Sequence, residues 1–334
     1  MFNVQKYIKN REAALICIAG AALAACGAAR AADAAASYPS KPIRIVVPTA
    51  PGGGVDTLAR IIGQKLTESW GQQVIVDDRG GASGIIGTEL AARAPADGHT
   101  LLMVPTAFAI NASLFAKLPY SPENDFAPVT IISSEPNFLV VHPSLPVRTV
   151  KELIALARRR SDQLNYSFGG LGSTASLSGE LFNQMAGVTI VGISYKGNGP
   201  AMTALIAGEV SLMFSGLPAA LPSLKSARLR ALAVTSTAHS PFLPNVPTMA
   251  EAGLPGYEVT NWIGLLAPSA TPREIVGKLN AEVVRQFTTS AVRERFAAFG
   301  VVPAASSPRQ FAVFIKSEIA KWDTVIKQAG IRAN

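Results

Sequence analysis

The sequence predicts an α/β fold in two lobes joined by two chain crossings. Short apolar runs alternate with amphipathic stretches twice, first from Tyr38 and again from about Phe138, and after Trp262 the chain turns almost wholly helical. The alternation is a βαβαβ rhythm, which implies a mostly parallel sheet in each lobe. A helical tail of that length needs a sheet to cover, and the simplest solution returns it to the first lobe. Lobe I then comprises 38–138 plus 262–334, lobe II is 139–261, and the crossings near residues 138 and 261 make a hinge. With 334 residues, 49% of them hydrophobic, the chain can fill two cores.

In the first set, Ile43 to Val47, Val74 to Val76 and Leu101 to Val104 read as strands. The helix between the first two starts at the glycine run 52–54. It carries Val55, Leu58, Ala59, Ile62 and Leu66 on one face, with Gly71 as its stop. The second set runs from Phe138-Leu139-Val140-Val141 through a helix opened by the capping box Thr149-x-x-Glu152 to Leu232-Ala233-Val234. In the tail, Thr271-Pro272-Arg273-Glu274 combines a capping box with a first-turn proline. Ser307-Pro308 opens a last helix to about Gln328.

Ahead of the first strand lies an export leader: Lys6, Lys9 and Arg11 precede an apolar stretch from Ala13 to Ala25 that is short for a bilayer span. Two cleavage patterns compete there. Leu23-Ala24-Ala25-Cys26 is a lipobox that would lipidate Cys26 and leave 1–25 as leader, whereas Ala29-Arg30-Ala31 fits ordinary signal removal after residue 31. The mature protein is therefore expected in the periplasm, soluble or anchored through Cys26. Both cysteines, Cys17 and Cys26, fall in this region, so the globular part is left without cysteine chemistry. Removing 1–31 changes the net charge from +8 to +5. Arg158-Arg159-Arg160 at a helix end suits the C-terminal dipole better than a nucleic acid. No nucleic-acid partner is expected.

Three glycine-rich turns follow strands and open helices. The first, Pro48 to Asp56, offers backbone amides and the positive end of a helix dipole to an anion at the carboxyl end of a sheet. A ligand-free tight turn explains such a run equally well. It has neither a Gly-Lys-Ser/Thr ending nor G-x-G-x-x-G spacing, so phosphate-loop and dinucleotide readings fail. The others are Arg79 to Gly87, which contains Ser83, and Ser167 to Thr174, in which Ser173 is not in a nucleophile elbow. Tyr195-Lys196-Gly197 ends a further strand. His99, His142 and His239 lack metal-ligand spacing and read as surface residues, while Asp77-Asp78 and Glu123 to Asp125 read as turns. No catalytic residue, metal or cofactor is expected.

Together these segments resemble the Bug-type substrate-binding proteins of tripartite tricarboxylate transporters over nearly the whole mature chain. The resemblance rests on Tyr38-Pro39-Ser40-Lys41-Pro42-Ile43-Arg44, Pro51-Gly52-Gly53 with Asp56, Ala82-Ser83-Gly84-x-x-Gly87, Pro95 to Leu101, Gly172-Ser173, Gly179 to Phe182, Tyr195-Lys196-Gly197 with Pro200-Ala201, Val246 to Gly253, and Ala267-Pro268 with Thr271-Pro272. It implies a type II periplasmic binding protein, a Venus flytrap that holds a ligand carboxylate through loop amides and hydroxyls, often with bridging water. Ser176 stands where the family often has histidine, and Ala204 where aspartate is common. Both changes hint at a ligand larger or less polar than a short dicarboxylate.

The expected ligand set is Thr49, Pro51, Gly52, Gly53, Gly54, Asp56 and Ser83 in the first two turns, with Thr106, Ala107 and Phe108 as a wall. Lobe II is expected to add Phe168, Gly169, Gly172, Ser173, Thr174, Ser176, Tyr195, Lys196, Gly197 and Ser215. The expected partners are a small carboxylate and the permease subunits of a tripartite tricarboxylate transporter, or alternatively a membrane sensor kinase. The chain is expected to be a monomer, and a hydrolase is the weaker rival.

Overall fold

Nine strands are hydrogen-bonded in the order β2-β1-β3-β9-β4-β7-β5-β6, with β8 also on β4. The computed structural model describes residues 36–160, 163–170, 172–195 and 197–331, so the expected leader and Cys26 lie outside the described residues. The strands are β1 (Ile43–Val47), β2 (Val74–Asp78), β3 (Thr100–Pro105), β4 (Phe126–Val141), β5 (Asn165–Phe168), β6 (Val191–Ser194), β7 (Leu212–Gly216), β8 (Arg230–Val234) and β9 (Thr260–Pro268). The helices are α1 (Gly54–Trp70), α2 (Ile85–Ala92), α3 (Ala107–Leu114), α4 (Val150–Arg159), α5 (Thr174–Ala186), α6 (Asn198–Ala207), α7 (Leu217–Lys225), α8 (Arg273–Phe287), α9 (Ser290–Ala298) and α10 (Pro308–Ala329).

The expected parallel sheets are mixed instead. β1 is parallel to β2 and β3, and β5 to β6 and β7, but β9 runs antiparallel to β3 and β4, and β4 antiparallel to β7 and β8. The cause is β4, a 16-residue strand that serves both halves. Residues Phe126 to Pro136 pair with β9, whereas Asn137 to Val141 pair with β7. The returning chain enters β9 beside the same point, Thr260 lying opposite Pro136. A single hydroxyl ties the two crossings: Thr235 Oγ1 accepts from Asn137 N–H at 2.8 Å and lies 2.6 Å from the Val259 carbonyl.

Alternation of side chains sorts the faces. Ile43, Ile45 and Val47 of β1 point to a core built with α1, α8 and α9, while Val46 points to the opposite face, where α3 and α10 lie. In the other half Leu139 and Val141 face α4 and α5, and Phe138 and Val140 face α6 and α7. The core under α3, α5 and α10 is continuous across both halves.

Local signals explain the helix ends. α1 stops at Gly71, in the left-handed region with φ 69°. Ser307 and Gln310 form a reciprocal capping box at α10. At α4, Thr149 caps Glu152, but the Glu152 carboxylate accepts from Arg148 N–H. The expected box at Thr271 does not form, because Pro272 is the N-cap of α8 and Thr271 Oγ1 is buried without a partner. His99 is buried against Tyr38 instead of lying on the surface. Asp77 and Asp78 end β2, where they pair with Arg44, Arg79 and Arg60.

Gly264 lets α10 lie on β9, since a Cβ there would sit 2.1 Å from Phe311 Cζ. Gly264→Ala is expected to lower stability by about 1–3 kcal/mol through overpacking. The loss should shrink when Phe311→Leu is added, a comparison thermal melts will make.

Candidate functional site

The strands deliver the N-termini of five helices to one cavity of about 610 Å³. Gly54 and Val55 of α1, Ala107 of α3, Thr174 and Ala175 of α5, Asn198 of α6, and Pro218 and Ala219 of α7 all stand on its wall. First-turn amides have no partner within their own helix, and the helix dipoles add positive potential. Such a ring suits an anion. No described lysine, arginine or histidine lines the cavity, and Glu135 is the sole described titratable side chain there.

The floor is the crossing itself. Asn261 Nδ2 donates to Asn137 Oδ1 at 2.8 Å, Thr174 Oγ1 donates to Asn261 Oδ1, and Asn137 Nδ2 reaches Ser178 Oγ at 3.4 Å. Thr106 Oγ1 accepts from Trp262 N–H at 2.8 Å, holding the start of α3 against β9. Behind the wall, the Trp262 indole donates to Glu318 Oε2 of α10 at 2.9 Å. Apolar surface completes the cavity through Leu58, Met213, Ile263, Phe299 and Val301.

Glu135 departs from solution behaviour. Burial pushes its carboxyl up to about 7, against the Ser133 hydroxyl, which donates to Oε1 at 3.1 Å and pulls the other way. No charged neighbour contributes to that shift.

Of the expected set, Gly54, Thr106, Ala107, Gly172, Ser173, Thr174 and Ser215 line this cavity. Thr49, Ser83, Phe108 and Gly169 line a neighbouring cavity of about 700 Å³ that shares Pro105, Ala107, Gly172 and Ser173 with it. Pro51, Gly52 and Gly53 are exposed and line neither cavity. Asp56 is buried and accepts from Gly52 N–H at 2.7 Å while pairing with Arg60, so that amide is already engaged. Phe168 is core, Ser176 is buried with its N–H donating to Ser173 Oγ, and Tyr195 packs against the α6 and α7 core. Gly197 is the N-cap of α6, and Lys196 lies outside the described residues.

Ser176 and Ala204 are both buried and line neither cavity, so the hint of a larger or less polar ligand drawn from them has no support in the cavity wall. The asparagines at 137, 198 and 261 and Glu135 were missed by sequence reasoning. Asn137, Asn261 and Glu135 each sit singly on a strand with no local motif to mark them, whereas Asn198 directly follows the Tyr195-Lys196-Gly197 turn.

The glycines of the second turn serve loop packing. A Cβ at Gly80 would meet Thr49 backbone at 3.1 Å, and at Gly87 it would meet Arg79 O at 2.6 Å. Gly172, with φ 72°, lies where a Cβ would strike Leu114 at 2.6 Å, so α3 and the start of α5 touch across the cleft.

Residues 58–331 match the family described as tripartite tricarboxylate transporter family receptor. Protein BugT of Bordetella pertussis is 38% identical over 320 residues, which cover 95% of this chain and 98% of BugT. Rpa4515 of R. palustris, solved with adipate, is 40% identical with a TM-score of 0.75, covering 88% of this chain and 99% of its own. MatC from Rhodopseudomonas palustris, solved with bound malate, is 34% identical with a TM-score of 0.71, covering 86% and 100%. The chain therefore belongs to the tripartite tricarboxylate transporter receptor family, the Bug-type solute-binding receptors, which are two-lobed binding proteins and not enzymes.

Proposed function

We propose that the chain is an exported solute-binding protein that captures a small carboxylate in the cleft and delivers it to the permease subunits of a tripartite tricarboxylate transporter. The lobes, 38–138 plus 262–334 and 139–261, close over the ligand in the periplasm. The observation that carries this reading is the ring of helix N-termini on a wall without a described cation. A carboxylate there takes its hydrogen bonds from amides and from the Ser173 hydroxyl, which accepts from Ser176 N–H and keeps its own proton to donate, each charge-assisted bond contributing about 1.5–3 kcal/mol. Three or four of them, less the ordering cost, give micromolar affinity without an arginine clamp. The relatives solved with adipate and malate support the ligand class. The residues that we propose touch the ligand are Gly54, Thr106, Ala107, Gly172, Ser173, Thr174 and Ser215 of the expected set, joined by Asn198 and Asn261.

Gly54→Pro tests the reading. Position 54 is the first residue of α1, Gly53 before it is extended, and a Cβ at 54 meets nothing within 4 Å, so proline fits and removes one cavity amide. Carboxylate affinity is expected to fall by roughly tenfold to a hundredfold with an unchanged melting temperature in the absence of ligand. Unchanged affinity in a calorimetric titration would place the anion elsewhere.

A further inference from the structure

We infer that Glu135 selects the second end of the ligand, and that this end is a hydrogen-bond donor, a hydroxyl or an ammonium, and not a second carboxylate. The inference rests on carboxylate capture by the helix N-termini.

The cavity wall is chemically divided. It meets the neighbouring glycine-lined cavity along Pro105, Ala107, Gly172 and Ser173, and meets a smaller one of about 250 Å³ along Glu135 and Pro218. On this second side the acid stands beside Pro218, Phe299 and Val301, with Asn261 opposite it and Ser134, Ser236, His239 and Ser240 lining the smaller cavity beyond. Glu135 extends from β4 opposite Asn261 of β9, beside the start of α7 at Pro218 and the segment from Phe299 to Val301.

None of these packed elements brings a described charge to it. β4 offers Ser133 and Ser134, β9 offers Asn261, α7 opens Leu217-Pro218-Ala219, and the 299–302 segment is Phe-Gly-Val-Val. The loop at 236–242 brings His239, which is engaged with Glu251 at 2.9 Å. A partly buried acid whose described hydrogen-bond partner is one hydroxyl is stabilised by a ligand that supplies a donor, and it repels a second carboxylate.

The test is calorimetry on the full mature chain with four series of straight-chain acids roughly four to eight carbons long: plain, ω-hydroxy, ω-amino and dicarboxylic. At about pH 8.5, above the range in which Glu135 titrates, the best ω-hydroxy and ω-amino acids should bind at least about tenfold tighter than the plain acid of equal length, and the dicarboxylate weakest. Lowering the pH to about 5.5 protonates Glu135, so the ω-amino advantage should shrink and the dicarboxylate should gain. Glu135→Gln should bring the ω-amino acid down to the plain acid at both pH values, with thermal melts confirming the fold.

Dicarboxylates binding tightest at the higher pH, or an ω-amino preference that survives Glu135→Gln, would overturn the inference while leaving carboxylate capture intact. Binding by no member of any series would sink carboxylate capture itself, and the inference with it.

Discussion

Glu318→Ala is expected to lower the unfolding free energy by about 3–5 kcal/mol, the largest single effect among the substitutions considered. Glu318 is 3% exposed, yet it gathers three donors: the indole N–H of Trp262 at 2.9 Å, the indole N–H of Trp322 at 3.1 Å, and the Lys321 ammonium. Truncation strands two buried indole N–H groups and opens a void between α10 and β9. Lys321 also sits over the Trp322 ring, 4.7 Å from its centroid, so its loss of a partner spreads to that contact. Glu318→Gln keeps an acceptor and removes the charge, and it should cost less than Glu318→Ala. Because Trp262 lines the cavity proposed to take the ligand, the alanine variant should also bind carboxylates more weakly. Chemical denaturation of both variants, with equal slopes, measures the difference; a loss under about 1 kcal/mol for Glu318→Ala would show the triad to be dispensable.

Glu135→Gln is expected to stabilise the ligand-free protein, with a gain that depends on pH. The folded carboxyl titrates at about 7 because burial disfavours its charge, whereas an unfolded glutamate titrates near its ordinary value of 4.5. Between those values the folded state holds a proton that the unfolded state has released, so stability contributed by this group falls as pH rises through the window. Above about pH 7 the parent bears the whole penalty, up to about 3 kcal/mol for a shift of roughly 2.5 pH units. The glutamine variant, which cannot ionise, should therefore be more stable at pH 8, with the advantage vanishing below about pH 4.5. Parallel melts across that range decide it: a constant offset between the two proteins would mean that Glu135 is not the titrating group.

Much of the scaffold was legible because its signals are local. The apolar runs of β1 and β3, the one-sided spacing in α1, Gly71, and the Ser307 box each act over a few residues. The length of β4 was not, because Pro128, Ser133, Ser134, Glu135 and Pro136 interrupt its apolar pattern. Its neighbours tolerate the interruptions through register shifts at Pro128/Thr130 and Ile131/Ser133. The sheet's mixed sense followed from that strand and was missed with it.

The site divides the same way. That Gly54, Thr106 and Gly172 to Thr174 would line a cavity could be read because strand-turn-helix junctions announce exposed amides, although Asp56 takes the Gly52 amide and Gly52 and Gly53 stay outside the cavity. Asn137 and Asn261 lie 124 residues apart and meet only because β4 and β9 cross side by side, information that no window of sequence holds.

That crossing also says how the protein can move. A linkage cut from loops bends freely in every direction, but here β4 runs unbroken between the halves and is laddered to β9 up to Thr260, with Thr235 clamping the seam. Such a two-stranded ribbon resists shear and stretching, because either would break several backbone hydrogen bonds together, and it yields most easily to torsion about its length. The lobes are thus joined as by a stiff torsion bar, and a relative twist about its length is the motion that the ladder opposes least.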